Sequence, residues 1–323
     1  MATSRWVDTD SGALGDWFAQ LEANITKVIE GKEEVVRLTL IALLAEGHVL
    51  VEDVPGVGKT LLAKAIGRSV ASSVRRIQFT PDLLPSDITG VTVYNPEHGD
   101  FEFKPGAVFA NIVLGDEINR AGPKTQSALL EAMEERTVTV DGTTHELAVP
   151  FMVIATQNPI ELAGTYPLPE AQRDRFMMRV TIGYPEVEAE VRVLDVHGVT
   201  DPLASLQPVA DAREVAGMIR VAQGVHAATA LKRYIVEIVR ATRAHPAVDL
   251  GASPRAALAL LRACRAKAAV EDRQYVEPDD VKALAHPLLA HRLVLSPQAE
   301  FTRTGAEAVI SELLSRVPIP GRR

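Results

Sequence analysis

Cysteine is nearly absent: Cys264 is alone among 323 residues, so no internal disulfide can form, which fits a reducing, cytoplasmic setting. It lies in an Ala/Leu-rich helical stretch and reads as a small core residue rather than a nucleophile. No apolar run approaches the ~20 residues that a helix needs to cross a bilayer, so no membrane insertion is expected. The amino-terminal segment carries Asp8, Asp10, Asp16 and Glu22 without a continuous apolar stretch, and no signal peptide is expected. Basic excess is missing as well: Lys and Arg number 34 against 42 Asp and Glu, a net charge of −8, which argues against a protein whose main task is to coat nucleic acid. What remains is 47% hydrophobic and 24% charged, ample for the cores of one large or two ordinary domains.

The segment around which the chain is organised is HVLVEDVPGVGKT, residues 48–60. A short apolar strand (Val49, Leu50, Val51) runs into a turn with Pro55, Gly56, Val57 and Gly58, and Lys59, Thr60 and Leu61 open a helix. A lysine in the first helical turn faces the positive end of the macrodipole, at a cost of roughly 0.3–1 kcal/mol, so an anion is expected there. The glycines let backbone amides turn into the loop, and a polyphosphate would satisfy those amides and Lys59 together. Thr60 then offers a hydroxyl to a magnesium ion. The strict phosphate-loop pattern fails at its first position, where Asp53 replaces glycine, and its carboxylate should point away from bound phosphate. The plain alternative is an ordinary strand-turn-helix with a surface lysine.

Helical spacing predicts helices over residues 14–30 and 32–46 ahead of this loop, and a second strand over 76–80 followed by a loop over 81–87. Residues 91–94 and 101–103 flank Asn95-Pro-Glu-His-Gly-Asp100 and predict a hairpin inserted into an otherwise alternating strand-helix chain. Ile112-Val-Leu-Gly-Asp-Glu117 reads as a central parallel strand with two acids at its carboxyl end, where open α/β sheets place ligands. Asp116 can hold magnesium while Glu117 polarises water; the plain reading is a helix-initiating acidic pair. A helix over 123–135 leads to a second hairpin around Asp141-Gly142. A buried strand over 151–156 ends at Gln157 and Asn158, an amide that can orient a water or sit as an ordinary loop residue.

A short helix over 168–176 carries Arg173 and Arg175, either of which can finish a phosphoryl-transfer site in a neighbouring subunit. Gly183-Tyr-Pro-Glu186 marks a hinge, which divides the chain into 1–184 and 185–323. Beyond it lie six Ala-rich helical stretches, at 186–197, 211–225, 228–245, 255–271, 278–289 and 305–317, with no strand expected. Ser253-Pro254 is a good helix start that puts Arg255 in the first turn, where a cation again implies an anionic partner. Asp249 or solvent would be the plain alternative.

These strings resemble the MoxR-type AAA+ ATPases of the helix-2-insert clade. The likeness is close over residues 76–185, in RIQFTPDLLPSDITG, FKPGAVFANIVLGDEINRA, TQSALLEAMEERTVTVDG, FMVIATQNPIE, GTYPLPEAQRDRF and IGYPE, and returns in GASPRAALALLRA. It implies an α/β P-loop core with a central parallel sheet, then an all-α lid. It further implies that DVPGVGKT is Walker A, LGDE is Walker B, Asn158 is sensor 1, Arg175 is the arginine finger and Arg255 is sensor 2, touching nucleotide from the lid. Residues 90–105 would be the helix-2 insert and 136–150 the hairpin before sensor 1. ATP or ADP with Mg2+, a homo-oligomeric and usually hexameric ring, a partner with a von Willebrand factor A-type domain, and a client complex matured by a chaperone-like motor are implied in the same way. Arg173, where the family usually has an apolar residue, and Arg120 remain candidates for contact across the interface. A nucleotide-gated scaffold and a helicase-like motor stand as alternatives, the latter weakened because the second hairpin, residues 137–147, has no Lys or Arg.

Overall fold

The computed structural model describes residues 12–54, 56–158, 164–188, 190–191, 202–319 and 321. Two helices, α1 (Gly12–Thr26) and α2 (Glu33–Leu44), precede the first strand, β1 (Val49–Glu52). Helix α3 (Lys59–Ser69), β2 (Val74–Gln78) and a short α4 (Pro85–Thr89) follow; α4 occupies part of the span expected to be loop. Its cause is local: Pro85 pre-sets the helical φ and the Asp87 carboxylate accepts from the Leu84 amide. Strands β3 (Gly90–Asn95) and β4 (Asp100–Pro105) form the first hairpin. Then come β5 (Ile112–Asp116), α5 (Pro123–Glu135), the second hairpin β6 (Thr137–Val140) with β7 (Thr143–Glu146), β8 (Met152–Gln157), α6 (Glu170–Arg173) and β9 (Met178–Val180).

Five strands make one parallel sheet in the order β2-β5-β8-β1-β9. Their apolar runs alternate between two cores, as a period of two requires. Val49, Val51, Ile112, Leu114, Met152 and Ile154 face α1, α2, α3 and the carboxy-terminal helices. Leu50, Val113, Val153 and Ala155 face the opposite way, onto Phe79, Leu129, Met133 and Phe176. Continuous hydrophobic sequence was therefore the right sign of strands buried on both faces.

After residue 202 the described chain is mainly helical: Ala212–Gly224, Thr229–Arg243, Pro254–Val270, Pro278–Leu289, Pro297–Phe301 and Ala306–Arg316. The expected helix over 186–197 lies partly outside the described residues. The expectation of no strands beyond the hinge needs one correction, since Val248–Leu250 pairs antiparallel with Val294–Leu295. Three and two residues are too few to show a strand period in sequence. The Ala-rich helix Pro254–Val270 is central: Ala256, Ala259, Ala263 and Ala266 are buried, and small side chains allow close approach on several sides. Cys264 is fully buried there and burial pushes its thiol pKa well up, consistent with a core role.

Candidate functional site

Three strands deliver their ends to one cleft. Parallel pairing sets Gly115 of β5 against Ala155 of β8, and Glu52 of β1 against Gln157 of β8, so the residues after all three strands meet at the carboxyl edge of the sheet. With strands about 4.8 Å apart, β1 and β5 leave roughly 10 Å between the loop after β1 and the acids after β5. A cleft of about 460 Å³ opens there, lined by Gly56, Gly58, Lys59, Thr60, Leu61, Asp116, Glu117 and Asn158. The sequence reading placed all of these in one site. Val57 is half-buried and packs against the larger core, and Pro55 lies outside the described residues.

Gly56 and Gly58 have φ of +87° and +93°, and a Cβ at either would meet nothing within 4 Å. Left-handed backbone explains why glycine is needed, and the open space on that side leaves room for a ligand against the loop. Lys59 begins α3, and the first amides of that helix have no intrahelical acceptor. Its Nζ donates to the Asp53 backbone carbonyl at 2.8 Å. Partial burial pulls the Lys59 pKa below its ordinary value, while Asp53, Asp116 and Glu117 oppose that shift. Such a donor set, with amides, an ammonium and the Thr60 hydroxyl around an open cleft, fits a magnesium polyphosphate.

Asp53, the departure at the head of the loop, does turn its carboxylate away. Oδ1 accepts from the Val54 amide at 2.8 Å and Oδ2 from the Gly183 amide at 2.6 Å. Gly183 has φ +67° and belongs to the expected hinge, while Lys32 Nζ donates to the next carbonyl, Tyr184 O, at 2.8 Å. The turn after β1 and the segment at Gly183 thus share one buried carboxylate.

Three residues that the sequence reading passed over, Arg76, Gln78 and Thr156, together with the interface candidate Arg120, hold the two acids. The Thr156 hydroxyl donates to Asp116 Oδ1 at 2.7 Å and accepts from the Glu117 amide at 2.8 Å. Arg76 donates to Asp116 Oδ2 at 2.6 Å, Gln78 Nε2 to Glu117 Oε2 at 2.9 Å and Arg120 to the same Oε2 at 3.2 Å. Glu117 itself has φ 57° and ψ 52°, a left-handed conformation costly for glutamate and kept only where the surroundings enforce it. Alternate positions in β2 could have signalled Arg76 and Gln78, since β2 pairs with β5 and sets Gln78 opposite Asp116.

Arg175 and Arg255 lie elsewhere. Together with Arg136, Arg262 and Arg292 they line a second cleft of about 260 Å³, beside Gly47 and His48. Those two residues precede β1, so this cleft is at the amino edge of the sheet, separated from the phosphate loop by the length of β1, about 13 Å. Arg255 pairs with Glu134 at 2.6 Å and Arg175 pairs with the same carboxylate at 3.4 Å. The helix that carries Arg255 starts at this edge, fixed by Ser253, whose hydroxyl donates to Asp174 Oδ2 at 2.7 Å, so Arg255 does not line the cleft of Lys59 and Asp116. Asp174 also takes the buried Arg292 at 2.8 Å. Arg173 pairs with Glu170 at 3.6 Å, and Arg120 belongs to Glu117.

Residues 48–178 match the ATPase family associated with various cellular activities (AAA), and residues 240–313 match the AAA lid domain. The chain is 52% identical to the uncharacterized protein YeaC of Bacillus subtilis over 93% of its own length and 94% of that protein's. It is 42% identical to the chaperone MoxR1 of Mycobacterium tuberculosis, covering 92% of this chain and 80% of that one. Protein MoxR of Paracoccus denitrificans is 33% identical over 95% of this chain and 98% of its own. A crystal structure of a proposed ATPase from Cytophaga hutchinsonii superposes with a TM-score of 0.90 at 38% identity, over 96% of this chain and 97% of the other. Parallel core, helical lid and these relatives together mean that the chain is an ATPase and belongs to the MoxR-type AAA+ family.

Proposed function

We propose that the protein is an ATP-driven, chaperone-like motor that works as a ring of like subunits, six in the family's usual form, with each nucleotide shared between two neighbours. The observation that carries this reading is the division of the site between two edges of one sheet: the proposed phosphate and metal ligands at the carboxyl edge, the solvent-accessible pair Arg175 and Arg255 at the amino edge. A lone subunit cannot bring them together, whereas a head-to-tail ring can. In this scheme Gly56, Gly58, Lys59 and the first amides of α3 bind the phosphates. Thr60 and Asp116 hold Mg2+, which when bound offsets the phosphate charge. Glu117 accepts the proton of the attacking water at its carboxylate and Asn158 orients that water. Arg175 and Arg255 meet the γ-phosphoryl of the next subunit's nucleotide, and 1–184 and 185–323 are the two bodies that move against each other about Gly183.

The hairpins are the proposed client contacts. Tyr94 and Phe101 on the first are more than half exposed, and Phe103 stacks on His145 of the second with ring centroids 3.9 Å apart, so the two hairpins can move as a unit. A partner bearing a von Willebrand factor A-type domain and a client complex in the cytoplasm complete the proposal. Among the described residues no helix is long and apolar enough to cross a membrane.

One observation favours a second, gated version of this reading: Gln78 and Arg120 both engage the Glu117 carboxylate that hydrolysis requires. A scaffold that binds ATP and hydrolyses little without its partner would hold the acid in this way. Glu117→Gln is expected to retain nucleotide binding and lose turnover; unchanged hydrolysis would remove Glu117 from its role. A wild-type rate that rises on adding the partner selects the gated version.

A further inference from the structure

Within the cation-rich cleft at the amino edge, each acid but one is committed elsewhere. Asp174 is taken by Arg292 and Ser253, and Glu46 by Arg136 and Gln223. Glu134 alone of these serves the two arginines proposed to act across the interface, with Oε1 at 2.6 Å from Arg255 and Oε2 at 3.4 Å from Arg175. We propose that Glu134 is a positioning residue that stands in for the neighbouring subunit's γ-phosphate, holding Arg175 and Arg255 together in a lone subunit and yielding them when a nucleotide-loaded neighbour docks. This rests on the reading of a shared site given above.

Three physical points converge on Glu134. It is in the last turn of α5, where the macrodipole presents its negative end and a carboxylate is disfavoured, so its position needs the arginines to offset it. Arg255 is in the first turn of Pro254–Val270, where the dipole favours an anion, so a carboxylate or a phosphoryl group gains there from both helix end and guanidinium. Finally, the contact can be exchanged. Side-chain exposure is 31% for Glu134 and Arg175 and 42% for Arg255, and ion pairs this open to water are weak. A phosphoryl group offers similar oxygen spacing with more charge, and arginine favours it in forked, charge-assisted contacts. Arg175, Arg255 and Glu134 come from the lead to β9, the lid and α5, so releasing Glu134 also loosens the lid from the core at that point.

The test is specific ATPase activity measured against protein concentration, for the full chain and for Glu134→Gln, with thermal unfolding to check folding. Without the competing carboxylate the cations are free for a neighbour, and half-maximal activity should come at a protein concentration about two- to ten-fold lower, with the plateau unchanged. Glu134→Asp, too short to span both arginines, should shift in the same direction but less. An unshifted or raised half-maximal concentration in a folded Glu134→Gln chain, or a lowered plateau, overturns the proposal. Arg175→Ala distinguishes its failure from that of the shared site: if that variant keeps a full plateau, the interface reading itself fails.

Discussion

His48 shows how much one side chain can fix. It precedes β1, is fully buried, accepts the Val153 amide on Nδ1 at 2.9 Å and faces the Met133 carbonyl through Nε2 at 3.1 Å. Those partners require the neutral ring with its proton on Nε2, and they tie the starts of β1 and β8 to the end of α5, where Glu134 sits. Burial, with a smaller contribution from Arg136, lowers its pKa from 6.5 to about 4, against the pull of the Met133 bond. As pH falls the unfolded chain therefore takes the proton first. Stability from this group is complete above the ordinary histidine value and declines through the window from about 6.5 to about 4, by roughly 2–3 kcal/mol. Urea unfolding at pH 7.5 and at pH 4.5 should show the loss, and His48→Gln, which keeps a donor and an acceptor but no charge, should flatten the decline relative to wild type. An equal pH slope in the two proteins would assign the acid sensitivity to other groups.

At the level of elements, the sheet edge was largely legible in the sequence. The loop after β1, the apolar strand that leads into Asp116-Glu117 and the strand that leads into Gln157-Asn158 each announce themselves by a run of buried residues followed by a polar tip. Parallel pairing then brings the tips together without further information. Both hairpins were also legible, from turn residues between alternating strands. Tertiary partners were not. Thr156 reads as one more strand residue, yet its hydroxyl links Asp116 to Glu117, because only the register of β8 against β5 puts it there. The edge at which Arg255 would appear was equally hidden, since it depends on how the lid docks through Ser253 and Asp174 rather than on the helix start that the sequence does encode. Asp53 joins the two kinds of information: its conflict with phosphate was visible, its use was not. Because it serves both the loop and Gly183, Asp53→Ala leaves two amides short of an acceptor. That should cost about 1–3 kcal/mol of stability and weaken nucleotide binding, read by urea unfolding and by titration with a fluorescent ATP analogue. Retained affinity at reduced stability would confine Asp53 to the fold.

For the whole molecule the decisive feature is polarity of the sheet. The proposed nucleotide ligands lie at one edge and the paired arginines at the other, and β1, about 13 Å long, keeps them apart within a chain. Arginine is about 7 Å from Cα to its guanidinium when extended, roughly half that gap, so no rotamer change closes it. Under the proposed shared site, a subunit borrows its cations from a neighbour, and the interface is then heterologous, closing into a ring when the rotation permits. Complementation follows. Lys59→Ala chains lose their own phosphate site but still offer Arg175 and Arg255; Arg175→Ala chains keep the site and offer a defective edge. Each alone should hydrolyse ATP poorly, by about 10³-fold or more for the missing arginine if it acts as trans-acting arginines do elsewhere. Mixed in equal amounts they should recover a substantial part of wild-type activity, because a Lys59→Ala subunit supplies its intact arginines to an Arg175→Ala neighbour's intact cleft. Mixing that only averages the two low rates, with mixed assemblies present by size-exclusion chromatography, would mean that each chain completes its own site, and a docking of the lid unlike this one would then be needed to carry Arg255 across the sheet.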